Sequence, residues 1–311
     1  MSEPSPSILT AEAPCSIGNV ATGFDILGHT LEGPTDRVTV RRIEESTVRL
    51  SSVTGVMTDL PRDIQRNTAL RALEALRLGH RLTFGFEIDV HKGIPLGSGM
   101  GGSAASAVAA LVAANGLLDT PLSAIELYPY AVEGEAAASG GHHGDNVGPM
   151  LTGGLTLSTA DRLVRLPVPK GLTCVLVHPH LVLETRRARE ALAMAYAIGD
   201  FVPQSANLAQ LITGLFTQNT SLIRAGLRDV LVEPRRAHLI PGFAAVKKAA
   251  LDAGALGASI SGGGPSVFAW FEDPMSAASS ALGMQDAFKT AGFESDVVVA
   301  AVDGPKTRVI S

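Results

Sequence analysis

The sequence predicts an α+β protein of two domains, and three observations support this prediction. The chain has 311 residues, which is about twice the roughly 150 residues of one domain. Both halves combine stretches in which apolar and polar residues alternate, as in strands, with stretches of helical periodicity. A proline-rich stretch, Leu166-Pro167-Val168-Pro169, separates the halves. We therefore expect domains at residues 1–167 and 168–311.

The first half is predicted to have strands and helices on both sides of a glycine-rich loop. The sequence pattern predicts strands at Ile8–Ser16, Asp36–Glu44, Thr47–Val53, Leu82–Val90 and Leu151–Thr159. Apolar spacing and helix-start signals predict helices at Asn67–Leu78, from the glycine-rich loop to about Leu118, and from Pro121 to about Ser139. Residues 1–7 are expected to be a frayed polar tail, and Gly140–Pro149 a polar loop.

The second half shows the same mixture, and neither half contains a convincing internal repeat. Strands are predicted at Leu172–His178, Gly257–Ser261, Ser266–Trp270 and Val297–Ala301. Helices are predicted at Glu184–Ile198, Gln204–Arg224, Phe243–Ala253 and Ala277–Ala291. Mixed elements in both halves indicate an α+β or α/β protein, and we predict the α+β class.

Composition and charge exclude several classes of protein. The formal net charge of −5 argues against nucleic acid held by bulk electrostatics. Apolar residues make up 46% and charged residues 18%, which excludes global disorder. The two cysteines, Cys15 and Cys174, form neither a disulfide framework nor a thiolate zinc site, and they suit a reducing cytosol. Without a signal peptide or a run of ~18 apolar residues, we expect a cytoplasmic protein that makes no membrane contact.

The strongest local signal is a glycine loop, Gly93–Ser103, that leads into an alanine-rich helix. Glycines let backbone N–H groups approach an anion closely, and the start of the helix adds the positive end of its dipole. The loop therefore predicts a phosphate site. The lysine of a Walker loop is absent. A GxGxxG is present at Gly97, Gly99 and Gly102, but no strand ending in an acidic residue follows at dinucleotide-binding distance. The G-x-S-x-G motif of esterases is matched only in a degraded form by this loop.

Three glycine-containing segments, in this order, resemble the motifs of the GHMP kinases, a family of small-molecule kinases. Ala13–Asp25 resembles the first motif, in the form found in kinases that act on homoserine. Pro95–Ala105, with the pattern P-x-G-x-G-x-G-x-S-A-A, resembles the second, and Ser259–Ser266 the third. The resemblance extends from about Ile8 to Val302. It implies an N-terminal half like ribosomal protein S5 domain 2, a ferredoxin-like C-terminal half and a ligand cleft between them.

The resemblance also implies an activity: ATP-dependent phosphorylation of the L-homoserine hydroxyl to O-phospho-L-homoserine, a step of threonine biosynthesis. The implied cofactors are ATP and Mg²⁺, and we expect a homodimer. A mevalonate- or shikimate-type kinase is the alternative within the class. A Rossmann-type NAD-dependent oxidoreductase is the alternative outside it. A nucleotide-binding regulator without catalysis is a third, because Gly102 stands where the family usually has serine.

By the resemblance, the second and third motifs bind the nucleotide. The expected ATP-binding residues are Asn67, Pro95, Leu96, Gly97, Ser98, Gly99, Met100, Gly101, Gly102, Ser103 and Gly263. For Asn67, the cap of the predicted helix is an equally supported role. Glu135 matches the family's magnesium position, and Ser103 or a water is expected to supply the hydroxyl that Gly102 lacks. Glu133 is expected to be a solvated charge. The third motif ends in Ser266, where threonine is common, and keeps a hydroxyl.

The remaining candidates concern the acceptor. The resemblance places His143 and Asn146 at the substrate, with the Asn146 amide near the reacting hydroxyl and Asp145 in a structural role. Arginine pairs bidentately with a carboxylate, and Arg189 and Arg236 occupy the matching positions. Their neighbours Arg186, Arg187 and Arg235 are expected to be solvated.

The first motif contributes Asn19 and Asp25. We expect Asp25 to attract the substrate ammonium, and its use as a general base stays open. The catalytic residues expected are Asp25, Glu135 and Asn146. The adjacent His142 and His143 do not favour a transition metal, because neighbouring histidines rarely face one ion and no further His or Cys lies at ligand spacing.

Overall fold

The computed structural model describes residues 7–311 and has two β-sheets flanked by helices. The predicted tail, residues 1–7, lies outside the described residues except for Ser7. The first sheet contains β1 (Ile8–Gly18), β2 (Leu27–Ile43), β3 (Val48–Gly55), β4 (Gly85–Lys92), β5 (Leu155–Ser158), β6 (Leu163–Arg165) and β11 (Arg308–Val309). Its main path runs β11-β1-β2-β4-β3, with β5 paired to β2 and β6 to β5. All pairs are antiparallel except β3 with β4.

Four helices accompany the first sheet: α1 (Thr68–Gly79), α2 (Gly102–Asn115), α3 (Ala124–Ser139) and α4 (Val147–Thr152). Helix α2 is almost wholly buried because its side chains are small, so it can lie close to the sheet and the neighbouring helices. Asn67 caps α1 by accepting hydrogen bonds from Ala69 N and Leu70 N. The close fit of α2 fixes the position of the glycine loop that precedes it.

The second sheet contains β7 (Thr173–Pro179), β8 (Gly257–Ile260), β9 (Val267–Phe271) and β10 (Ser295–Ala301) in the order β10-β7-β9-β8, with every pair antiparallel. Its helices are α5 (Thr185–Glu190), α6 (Ile198–Thr217), α7 (Thr220–Gly226), α8 (Glu233–Arg236), α9 (Phe243–Asp252) and α10 (Pro274–Thr290). Buried residues such as Val246, Met284 and Phe288 on α9 and α10 pack in one apolar cluster with strand residues such as Val175 and Phe271.

Contacts of β9 and β11 with the first sheet help to join the halves. The fully buried Trp270 of β9 donates through Nε1 to His29 Nε2 of β2, at 3.2 Å. Near the end of the chain, β11 pairs with β1, so the last residues return to the first sheet. The two sheets therefore share one apolar core around Trp270 and Phe268.

The α+β class is confirmed, and the fold contradicts the Rossmann alternative. A dinucleotide-binding domain needs a largely parallel sheet, but β3 and β4 form the single parallel pair among the described residues. In residues 7–311, no helix is long and apolar enough to cross a membrane.

Several predicted element boundaries were wrong. Strand β2 begins at Leu27, well before the predicted Asp36. The early start of this strand was missed because Gly33-Pro34 is typical of a turn. In the structure, Gly33-Pro34 lies within β2, where the pairing of β1 and β2 shifts register. Residues 147–152 form α4 rather than the end of a loop and the start of a strand, because Val147, Met150 and Leu151 bury an apolar face.

The predicted helices of the second half were also wrong in places. Glu184–Ile198 is a short α5 followed by the irregular residues 191–197, whose carbonyls bond to a side chain of α8 instead of to helix N–H groups. Gln204–Arg224 is interrupted where Gln218 adopts a left-handed conformation and Asn219 caps α7.

Candidate active site

The main candidate site is a cavity of about 530 Å³ between the two halves of the chain. It is lined by the first motif, the glycine loop, α3, α5, α8 and the glycine turn at residues 262–264. Most of the candidate residues meet here, although they lie far apart in sequence. The lining candidates are Asn19, Asp25, Leu96, Gly97, Ser98, Gly99, Gly101, Gly102, Ser103, Glu135, His143, Asn146, Arg189, Arg236 and Gly263.

The glycine loop is held by hydrogen bonds to its backbone carbonyls from the second half of the chain. The Gly97 carbonyl accepts from Leu183 N at 3.1 Å. The Ser98 and Gly99 carbonyls accept from the hydroxyls of Ser266 and Ser261, each at 2.6 Å. With three successive carbonyls satisfied by protein, the loop and the first turn of α2 leave N–H groups for an anion.

Gly99 and Gly102 have different reasons to be glycine. Gly99 has φ +78°, and a Cβ there would lie 2.5 Å from the Ser261 carbonyl oxygen. A side chain at Gly99 would therefore separate the loop from the third motif. At Gly102 the backbone is ordinary, and a Cβ would lie 3.1 Å from Ile94 Cγ2 and 3.2 Å from the carbonyl oxygens of Ile94 and Pro95. That space is tight, but no contact is under 3.0 Å, so a side chain at Gly102 meets less steric conflict than one at Gly99.

A buried ion pair beneath the loop was not predicted from the sequence. Lys92 and Asp36 are almost completely buried and contact each other. Lys92 Nζ also donates to the Gly102 carbonyl at 2.6 Å, while Asp36 Oδ1 accepts from Gly93 N and Ile94 N. The pair thus ties both ends of the loop together. The sequence did contain a signal for the burial of Lys92, because this residue continues the alternation of inward-facing residues along β4.

Glu135 has the properties of a magnesium ligand. Its Oε1 accepts from the Ser103 hydroxyl at 3.1 Å, and its buried Oε2 has no hydrogen-bond partner among the described residues. Burial raises the pKa of Glu135 to about 8. A carboxylate oxygen without a partner, beside a hydroxyl and the glycine loop, suits a hard cation that keeps several waters. The residues present therefore fit Mg²⁺.

Glu133 and His142 point away from this cavity. Glu133 is more than a solvated charge, because it accepts from Arg71 Nη2 at 2.5 Å and contacts His142 Nε2 at 2.9 Å. Hydrogen bonds from His142 and Arg71 lower the Glu133 pKa. His143 instead faces Asp25, with its Nδ1 3.3 Å from Asp25 Oδ2. Residues 7–311 contain no cluster of three or more His, Cys, Asp or Glu side chains arranged for a metal.

Asp25 and Arg189 meet in the cavity. Arg189 donates through Nη2 to Asp25 Oδ1 at 2.8 Å and through Nη1 to Oδ2 at 3.1 Å. Asp25 has a left-handed backbone, φ +61°, and its N–H donates to the Asn19 side-chain oxygen at 2.7 Å. Asn19 in turn donates to the Gly262 carbonyl at 2.9 Å. The first and third motifs together set the position of Asp25.

Arg236 is a buried cation without a carboxylate partner among the described ion pairs. Its Nε donates to the Ala188 carbonyl at 2.9 Å and its Nη1 to the Gly262 carbonyl at 3.2 Å. Burial, followed by the charge of Arg189, lowers the Arg236 pKa to about 10. The buried Nε of Arg189 also lacks a partner in the described part of the chain. Two guanidinium groups with spare donors favour an anionic ligand.

Asp145 and Asn146 complete the wall behind Asp25. Asp145 Oδ2 accepts from Asn19 N at 3.0 Å and from Asn146 Nδ2 at 3.2 Å. Burial raises the Asp145 pKa to about 7, and the nearby Asp25 charge adds to this effect. The Asn146 side-chain oxygen accepts from the Ser16 hydroxyl at 2.8 Å. Asp145 lines the cavity as well, although the sequence suggested only a structural role for it.

Some candidates are placed elsewhere. Asn67 caps α1, donates to the Pro61 carbonyl, and does not line the cavity. Pro95 and Met100 belong to the glycine loop but are also absent from the lining. The prediction that Arg235 is solvated was wrong, because its guanidinium stacks on Tyr196 at 3.7 Å and bonds two carbonyls.

The chain matches family models in both halves. Residues 67–154 match the model described as "GHMP kinases N terminal domain", and residues 211–290 match "GHMP kinases C terminal". The chain is 56% identical over 301 residues to a homoserine kinase of Xanthomonas campestris pv. campestris, covering 97% of this chain and 94% of the relative. It is 42% identical to a homoserine kinase of Chloroherpeton thalassium, covering 97% of this chain and 99% of the relative.

Solved structures agree with these relatives. The fold superimposes on a homoserine kinase of Cytophaga hutchinsonii with a TM-score of 0.94 and 40% identity, covering 100% of this chain and 99% of that chain. A mevalonate kinase of L. major gives a TM-score of 0.68 at 14% identity, covering 98% of this chain and 100% of that chain. The second similarity is one of fold alone.

Proposed function

The chain belongs to the GHMP kinase family, and on that premise we propose that it transfers the γ-phosphoryl group of ATP to the side-chain hydroxyl of L-homoserine. The single observation that most supports this acceptor is the charge set Asp25, Arg189 and Arg236 in the same cavity as the glycine loop. Homoserine has an ammonium and a carboxylate in addition to its hydroxyl, and these three side chains can pair with both charges.

The glycine loop and α2 bind the phosphates in this proposal. Backbone N–H groups and the helix dipole supply attraction for the anion. Glu135 and Ser103 would hold Mg²⁺, which when bound neutralises charge on the phosphate oxygens. Lys92 and Asp36 keep the loop closed around this position. These residues place the γ-phosphoryl group at the acceptor end of the cavity.

In this proposal the acceptor is held by charged side chains that pair with each other in the structure. Asp25 accepts the substrate ammonium, while Arg189 and Arg236 donate to the carboxylate. The bidentate bond between Asp25 and Arg189 must therefore be shared or opened as the zwitterion enters. Asn146 lies on the same wall, and we assign its amide to the reacting hydroxyl. His143, 3.3 Å from Asp25, borders the same pocket.

We assign catalysis to positioning rather than to a strong general base. Asp25 is engaged by Arg189 and His143, which favours a role in binding. Phosphoryl transfer through a loose transition state depends mainly on alignment and on neutralising charge. Glu135, Asp25 and Asn146 remain the residues whose loss should most reduce turnover.

Several finer assignments complete the proposal. We propose that the reaction serves threonine biosynthesis in the cytoplasm, that nucleic acid is not a partner, and that the enzyme is a homodimer. Exposed apolar side chains of α6, Ile198, Val202 and Phe216, support the homodimer. We also propose domains at residues 1–167 and 168–311, with β11 returning to the first.

A panel of acceptor alcohols tests the proposed function. Purified enzyme with ATP and Mg²⁺ should release ADP with L-homoserine and much less with mevalonate or shikimate. Preference for either of those alcohols would favour the alternative kinases. ATP binding without turnover on any acceptor would indicate a regulator instead.

A further inference from the structure

The segment that carries Arg189 continues into an irregular strap, residues 191–197, which joins α5 to α6. Most of the strap is exposed, and Met194 is 75% exposed. Helix α5 has only six residues, too few to be stable without tertiary support. The position of Arg189 in the cavity therefore depends on what holds α5 and the strap in place.

Arg235 holds the strap. Its Nη1 donates to the Met194 carbonyl at 3.0 Å and its Nη2 donates to the Ala195 carbonyl at 2.8 Å. Its guanidinium carbon lies 3.7 Å from the centre of the Tyr196 ring. A planar guanidinium suits this combination of forked donation and stacking, which a lysine cannot reproduce.

The adjacent arginine holds the same segment on the other side of Arg189. Arg236 Nε donates to the Ala188 carbonyl at 2.9 Å. Arg235 and Arg236, consecutive residues of α8, thus hold backbone carbonyls after and before Arg189. Arg236 lines the cavity and Arg235 does not, so Arg235 has no direct route to a ligand in it.

We propose that Arg235 is a positioning residue for acceptor binding: by fixing the strap it holds α5 and aims Arg189 at the acceptor carboxylate. This inference rests on the proposed function, in which Arg189 binds that carboxylate. The glycine loop is tied to this region upstream of α5, where Leu183 N donates to the Gly97 carbonyl. Loss of Arg235 should therefore disturb the acceptor far more than the nucleotide.

Kinetics of Arg235→Ala provide the first test. We expect the KM for L-homoserine to rise about tenfold, equivalent to ~1.4 kcal/mol, while kcat and the KM for ATP stay within about twofold. Arg235→Lys should lie between wild type and alanine, because it keeps the charge but not the fork. Arg187→Ala is the matched control on exposed α5 and should behave like wild type. Equal rises in both KM values would overturn the positioning role.

Hydrogen–deuterium exchange on the free enzyme provides a second test that needs no substrate. Arg235→Ala should increase exchange in peptides covering residues 190–198, with little change at the glycine loop. Unchanged exchange there would overturn the tether even if homoserine kinetics changed. If the wild-type enzyme did not phosphorylate homoserine, the proposed function would be wrong. The exchange measurement would still show whether Arg235 fixes the strap.

Tyr196→Ala tests the same contact from the other side, in case the Arg235 variants do not fold. Tyr196 lies on the irregular strap, outside the helices and strands, and its ring centre is 6.1 Å from that of Phe201 on α6. We therefore expect its truncation to disturb the fold little. Removal of the stacked ring should raise the KM for homoserine and strap exchange in the same direction as Arg235→Ala, to a smaller extent. Tyr196→Phe should behave like wild type. Wild-type behaviour of Tyr196→Ala in both measurements would contradict the proposal.

Discussion

Asp25 and Arg189 are 164 residues apart and form a bidentate ion pair in the candidate site, with N···O distances of 2.8 and 3.1 Å. Each partner matches one charge of an amino-acid zwitterion. These two side chains balance each other's charge, and Arg236 lies in the same cavity as a buried cation without a carboxylate partner in residues 7–311. Under the proposed function, this arrangement would let one pocket select for both an ammonium and a carboxylate.

Arg236→Leu should weaken acceptor binding selectively. Removing one member of a desolvated charge pair costs about 2–5 kcal/mol, so the KM for homoserine should rise at least about tenfold. ATP affinity should change little, because the loop backbone binds the phosphates. Steady-state kinetics with each substrate varied would show this, and Arg187→Leu is the control. If ATP binding weakens and homoserine is unaffected, Arg236 belongs to the nucleotide.

Glu135→Gln should depress turnover severely, whereas Glu133→Gln should have a small effect. Glu135 has the orphaned buried oxygen beside Ser103, while Glu133 is paired with Arg71 and His142 outside the cavity. Measured kcat across a Mg²⁺ titration would compare them, with Glu135→Gln requiring more Mg²⁺. Equal losses in both variants would argue against Glu135 as the magnesium ligand.

Gly99→Val should impair ATP binding. The residue has φ +78°, and its new Cβ would lie 2.5 Å from the Ser261 carbonyl oxygen, so the loop must leave the third motif. Calorimetry should show at least about a tenfold loss of ATP affinity, a change of ~1.4 kcal/mol. Gly102→Ala is the control and should lose much less, because Gly102 has an ordinary backbone and its new Cβ would lie no closer than 3.1 Å to any neighbour. Normal ATP affinity in Gly99→Val would refute the phosphate-loop assignment.

The buried His29 should make folding stability sensitive to mild acid. Burial lowers the His29 pKa to about 4, and its neutral ring accepts from Trp270 at 3.2 Å. Because the folded pKa lies below the unfolded value of about 6.5, this contribution is complete above pH 6.5 and is lost as the pH falls towards 4. This pKa shift corresponds to about 3 kcal/mol of the free energy of unfolding.

Urea unfolding at pH 7 and pH 4.5 would measure this effect. His29→Gln keeps an acceptor for Trp270 but cannot gain the proton, so it should lose less unfolding free energy than wild type between the two pH values. His180→Gln, on an exposed histidine, is the control. An identical pH dependence in wild type and His29→Gln would contradict this role.

The features that could be predicted from the sequence are those that depend on a local residue pattern or on a motif. Alternation located most strands, and the three glycine motifs predicted the fold, which is confirmed, and a phosphate loop, which stays a prediction. The sequence could not predict the pairing of Asp25 with Arg189, because contacts across 164 residues have no local signal. The break between α5 and α6 was missed for the same reason, since Arg235 satisfies carbonyls that a continuous helix would have used.

Acceptor selectivity tests the central claim most directly. The rate constant kcat/KM should be measured for L-homoserine and for 4-hydroxybutanoate, which has the hydroxyl and carboxylate but no ammonium. The account predicts that wild type prefers homoserine at least about tenfold, since losing one partner of a buried pair costs about 2–5 kcal/mol, and that Asp25→Asn removes most of this preference. Equal kcat/KM values for the two acceptors in wild type would contradict the account.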